Sequence, residues 1–206
     1  MKFATMVLLG ILLLGSFASL QADDRIGAGE VVYAFTSVPD PDNKGWCDDK
    51  AKTCVCFIYL PLVSGIEEKA LFKGGVVSEA NAHLTWVSEF PAEQTMWSNP
   101  PFTLAMVPTG PAAIYYDATP GKKRNPRDPK TLGEIVARFN RKAGLFVSTG
   151  SGVDPFVSSA DLVWSTPFVL NGKWFNFRDL IPRGITCHEV VSSTGTEAGS
   201  CVATGN

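Results

Sequence analysis

Histidine is scarce in this chain: 206 residues contain two, His83 and His188. Neither completes a nucleophile. Cys187 and His188 adjoin, and neighbours on a strand point to opposite faces, so they form no dyad. The serine candidate, Ser151 in STGSG, has Thr149 where a G-x-S-x-G elbow needs glycine. With no G-x-G-x-x-G and no P-loop, nucleotide binding has no support. C-x-x-C is missing too, which removes a thioredoxin-type redox site. Charge of one sign is also lacking, with 18 Lys and Arg against 20 Asp and Glu for a net −2. So mild a balance argues against nucleic acid or an anionic membrane as partner. The one basic run, Lys122-Lys123-Arg124 with Arg127 and Lys130, is interleaved with Pro120, Gly121, Pro126 and Pro129. It reads as a solvated loop, without aromatics to stack on bases.

Long apolar runs are limited to one. Lys2 precedes the almost wholly apolar Met6–Leu14, and small residues follow. That order is the pattern of a secretory signal peptide, with cleavage after Ala18 or Ala22. The run is shorter than the roughly 20 residues of a membrane span, so no stable membrane insertion is expected. The reading is a signal peptide over 1–22 and one domain over 23–206, secreted or periplasmic.

What is present is a series of short β-branched and aromatic runs cut by Gly, Pro, Asn and Asp. They include Val31–Val38, Cys54–Val63, His83–Phe90, Phe102–Val107, Ala113–Ala118, Gly144–Thr149, Leu162–Leu170, Lys173–Phe177 and Gly184–Val191. Such spacing predicts a mainly β, single-domain antiparallel barrel or sandwich with at most one or two short helices. In PFVLNGKWFNF, Asn171-Gly172 suits a type I′ turn. Pairing across it sets Leu170 opposite Lys173 and Phe168 opposite Phe175, with Phe168, Leu170, Phe175 and Phe177 on the core face. Asp128–Gly144 breaks the pattern. Leu132, Ile135, Val136 and Phe139 recur at helical spacing behind an Asp128-Pro129 cap, which favours a helix. Gly133 opposes it, and an edge strand over Glu134–Phe139 is the alternative.

The five cysteines are Cys47, Cys54, Cys56, Cys187 and Cys201. A zinc set of Cys54, Cys56, Cys187 and His188 lacks the usual C-x2–4-C spacing, and exported thiols oxidise. Two disulfides and one thiol are the better reading. Cys47–Cys54 would close a polar turn and Cys187–Cys201 would tie down a Ser/Thr/Gly-rich C-terminal tail, leaving Cys56 as the thiol. A bridge from Cys54 or Cys56 to Cys187 ranks second. Asp40–Gly45 resembles the start of a calcium loop, but Lys44 and Ala51 stand where oxygen ligands belong, so a surface turn is expected. Of the carboxylates, Glu89 and Asp161 could meet across a fold. The five tryptophans, Trp46, Trp86, Trp97, Trp164 and Trp174, are read first as core, second as a pocket.

These features predict an exported, non-enzymatic β domain, without cofactor or metal, that binds a small apolar ligand or a protein partner. The alternative is a metal-independent hydrolase or isomerase with a carboxylate, His83 or His188 in a barrel cavity. An enclosed cavity holding a histidine and a carboxylate would favour the enzyme. An open aromatic patch without titratable groups would favour binding.

Overall fold

The computed structural model describes residues 26–38, 47–48, 50–91, 95–107, 109–148, 150, 152–192 and 196–205. The signal segment 1–22, the Asp40–Gly45 turn, Trp46 and Ser151 lie outside the described residues.

Twelve strands follow one another: β1 (Val31–Ser37), β2 (Thr53–Val63), β3 (Leu84–Pro91), β4 (Thr95–Asn99), β5 (Phe102–Val107), β6 (Gly110–Tyr116), β7 (Glu134–Ser148), β8 (Val153–Ser165), β9 (Phe168–Leu170), β10 (Lys173–Phe175), β11 (Gly184–Ser192) and β12 (Glu197–Ala203). Among the described residues these twelve strands are joined by one four-residue helix, α1 (Phe177–Leu180), with short 3₁₀ turns elsewhere. Eight strands close an antiparallel barrel in the order β7-β6-β3-β2-β1-β12-β11-β8, and β8 returns to β7. Wall strands that follow each other along the chain lie side by side. Two hairpins, β4-β5 and β9-β10, are inserted between them. Closure leaves no open sheet edge around the ring. The β4-β5 hairpin takes over the lane of β6, pairing Thr103–Val107 with Ser148–Gly144.

The barrel interior holds the main core, with Leu60, Leu84, Ile114, Phe139 and Ile185 all buried. One end is filled by Leu71, Phe72, Phe168, Leu170, Phe177 and Ile181, from the 67–83 segment, the β9-β10 hairpin and α1. The hairpin pairs Lys173 with Leu170 and Phe175 with Phe168. Asn171 and Gly172 hold φ of 50° and 77°, which a type I′ turn requires. Phe168, Leu170 and Phe177 are buried and Phe175 is half-buried.

Three expectations are corrected. Residues 134–148 form the longest strand of the wall, with only Pro129–Thr131 helical before it. The apparent helix face divides between two sides of that wall. Val136 and Phe139 belong to the interior core, whereas Leu132 and Ile135 pack with Phe57, Ala113 and Tyr115 outside it. A bulge causes this: Ile114 pairs with Ala137 and Tyr115 with Ile135, so Val136 is extra and breaks the alternation. Gly133, at φ +98°, lies so near Tyr116 that an added Cβ would be 2.3 Å from its carbonyl oxygen. The expected C-terminal tail is instead strand β12, which closes the barrel between β1 and β11. The basic run is not wholly solvated either. Arg124 is buried at 4% exposure, donating to the Glu79 and Ala82 carbonyls and pairing with Asp117 at 3.4 Å. Arg127 donates to the Thr53 carbonyl at 2.9 Å.

Candidate functional site

Two disulfides are present, Cys47–Cys54 and Cys187–Cys201, and Cys56 is free. Cys187 and Cys201 are direct cross-strand partners on the inward faces of β11 and β12. The zinc set weighed from the sequence is therefore not assembled: Cys54 and Cys187 are bonded elsewhere, and His188 is exposed on the outer face. Among the described residues no group of three or more His, Cys, Asp or Glu is placed to hold a metal.

At the end of the barrel opposite the hairpin plug lies a cavity of about 240 Å³. Inward residues recur every second position along a strand, so each strand delivers a short series to it. β3 supplies Trp86, Ser88 and Phe90, and β11 supplies Cys187, Glu189 and Val191. β8 supplies Ser158 and Phe156, and β7 supplies Arg141 and, past a bulge, Phe146. The pattern is a polar band between an apolar floor and an aromatic rim. Tyr33 and Ile58 complete the floor, while Cys56 and Glu197 complete the band.

The band is electrostatically unusual. Glu189 pairs with Gly199 and Val191 with Glu197, so the two glutamates are diagonal neighbours on one face. Gly199 makes this possible. A Cβ there would meet the His188 carbonyl oxygen at 2.3 Å and the Glu189 Cβ at 2.7 Å. The Cys56 thiol donates to Glu197 Oε2 at 3.1 Å. Arg141, 6% exposed, sits with its guanidinium 5.4 Å from the centre of the Phe90 ring. Its NH2 donates to the Glu89 carbonyl at 3.3 Å, and its buried Nε has no hydrogen-bond partner.

Burial, reinforced by the Glu197 charge, pushes Glu189 up to about 9 against the pull of Arg141. Glu197 is also raised by burial, but the Cys56 hydrogen bond and Arg141 both pull it back. The Cys56 S–H donates to Glu197 and favours charge there, so of the pair Glu189 takes the first proton. Burial and the neighbouring carboxylates raise the Cys56 thiol well above its ordinary value, and burial does the same to Tyr33. Both keep their protons at neutral pH.

Family models, curated proteins and solved structures offer no match to this chain. The reading of the site therefore rests on its geometry.

Neither histidine is part of it. His83 lies on the side of the plugged end, its Nδ1 2.7 Å from the Asp117 carbonyl oxygen and its ring stacked on Tyr116. Glu89 faces outward and Asp161 forms a surface pair with Lys142 at 2.7 Å, so those two carboxylates do not meet. Of the four described tryptophans only Trp86 is buried, while Trp97, Trp164 and Trp174 are exposed. Glu189, Glu197 and Arg141 were not singled out from the sequence. For Glu189 a signal exists: Ile185, Cys187, Glu189 and Val191 share one face, an acid in an otherwise inward series. Arg141 and Glu197 carry no such mark, because a bulge interrupts the first strand and the second was read as tail.

Proposed function

We propose that this protein is an exported receptor for one compact, mainly apolar molecule that carries a neutral, oxygen-bearing head such as a ketone. The observation that carries this reading is Arg141: a cationic fork, almost fully buried, lining an aromatic-rimmed cavity beside two glutamates. A buried cation costs free energy unless charges and hydrogen bonds around it compensate. The charge balance selects the head group. With the Cys56 S–H favouring charge on Glu197, that carboxylate offsets the Arg141 cation, so a ligand anion would bring an uncompensated negative charge into a largely buried site. A neutral carbonyl adds none, and it can accept from both Arg141 and the protonated Glu189. The volume, about 240 Å³, falls just below the roughly 300–1,000 Å³ of pockets for drug-sized ligands. A single ring or a short chain is the matching size.

Export is part of the proposal. The apolar leader and two disulfides together suit an oxidising compartment outside the cytoplasm. Among the described residues no helix is long and apolar enough to cross a membrane.

Calorimetric titration at neutral pH with methyl hexyl ketone, and with octanoate as its charged counterpart, tests the reading. The ketone is expected to bind, octanoate to bind at least tenfold more weakly, and Arg141→Met to abolish the preference. Failure of the ketone to bind, or equal binding of both probes, would overturn it.

A further inference from the structure

We propose that the same cavity catalyses a cofactor-free allylic proton shift in a neutral, enolisable ketone, with Glu197 as the base and Glu189 and Arg141 holding the enolate oxygen. This rests on the receptor reading above and adds a reaction to it.

The geometry provides each part. Glu189 and Glu197 are diagonal partners across β11 and β12, a relation that spaces backbones by about 7–8 Å. Both line a cavity of about 240 Å³, which has space for the few atoms of an enone. The Cys56 S–H fixes one oxygen of Glu197 and leaves the other to act on a C–H. Glu189 is held over Gly199, whose missing side chain lets the strands approach. Arg141 is anchored through the Glu89 carbonyl and the Phe90 ring, so its guanidinium is held at the cavity wall without reorganisation. Preorganised donors of this kind stabilise developing oxyanions.

The step balances within the cavity. The Glu197 carboxylate removes a proton from the carbon between the carbonyl and the double bond of a β,γ-unsaturated ketone. The C–H electrons pass to the carbonyl oxygen, where Glu189 O–H and Arg141 N–H donate to the enolate. The Glu197 carboxylic acid, which exchanges its proton with solvent through the mouth, then gives a proton to the γ-carbon and a new C–H bond forms. The conjugated ketone leaves and Glu197 is again a carboxylate. Nothing is oxidised or reduced, and no water is consumed.

The experiment uses the purified, disulfide-bonded protein with β,γ-unsaturated cyclohexenone. Conjugation is followed by ultraviolet absorbance, and proton removal by exchange of deuterium from deuterium oxide into the ketone. The wild-type protein is expected to accelerate both, and Glu197→Gln to lower the rate by about 10²–10⁴-fold with cyclohexenone affinity changed less than threefold. The rate should also decline as Glu189 loses its proton near pH 9, a dependence that a purely structural Glu189 would not produce. Circular dichroism of the variant establishes that it folds. If the ketone binds but the wild-type protein exchanges and conjugates it no faster than Glu197→Gln does, catalysis is refuted and the receptor remains. If no ketone binds, both readings fall.

Discussion

Glu189 is the side chain whose replacement should tell most about how this barrel is held together. Burial and the neighbouring Glu197 raise it from the ordinary 4.5 to about 9. Between those limits the folded chain holds a proton that the unfolded chain has released. Stability must then fall as pH rises, by about 1.4 kcal/mol per pH unit for one proton. The contribution is complete below pH 4.5 and lost by about pH 9. At pH 7.5, three units above the unfolded value, the loss amounts to about 4 kcal/mol. That figure is an upper bound, because solvent reaches the partly buried carboxyl from the mouth. Glu189→Gln keeps the shape and removes the titration, so it should stabilise the protein at pH 7.5 and leave it nearly unchanged at pH 4.5. With a urea slope of about 2 kcal/mol/M, the midpoint should rise by up to about 2 M at the higher pH. Urea titrations of both proteins at half-unit steps from pH 4.5 to 9 would measure it. Parallel stability curves would refute the reasoning, since they would mean that Glu189 titrates alike folded and unfolded.

Two further outcomes follow from the same wall. Gly199→Ala places a Cβ 2.7 Å from that of Glu189; it should destabilise by about 1–3 kcal/mol in urea titration and weaken ketone binding, whereas Ala198→Gly on the outward side should leave binding unchanged. Replacing Cys187 and Cys201 by alanine opens a loop with a sequence separation of 14 and should lower stability by about 3 kcal/mol, with thermal unfolding as the measure and an unchanged midpoint as the contrary result.

The β character, the turn at Asn171-Gly172 and the two disulfide pairs were legible because each rests on neighbours in sequence. Asn171-Gly172 needs only its own φ angles, and Cys187 and Cys201 flank one short Ser/Thr/Gly-rich stretch of sequence. β7 was misread because legibility of that kind fails at a bulge. With Val136 extra, two apolar residues face the interior and two face the outer cluster. A two-sided burial pattern with one inserted residue reproduces helical spacing. No local signal separates the two readings except Gly133, whose positive φ no helix interior would hold.

The candidate site was hidden for a deeper reason. Cys56, Arg141, Glu189 and Glu197 come from β2, β7, β11 and β12, and each lies among residues typical of an ordinary half-wet strand. In an open sheet their alternating face would meet water, and a glutamate or arginine there would be unremarked. Closure turns that face inward, removes its water and couples four groups that the sequence holds up to 141 positions apart. The same closure raises Glu189 and leaves Arg141 short of an acceptor. The chemistry of the cavity thus belongs to the ring of strands and to no segment of it. For that reason β12, read from sequence as a loose end, matters most: without Glu197–Ala203 in place the barrel has an edge, the carboxyls are hydrated, and Glu189 returns to an ordinary acid.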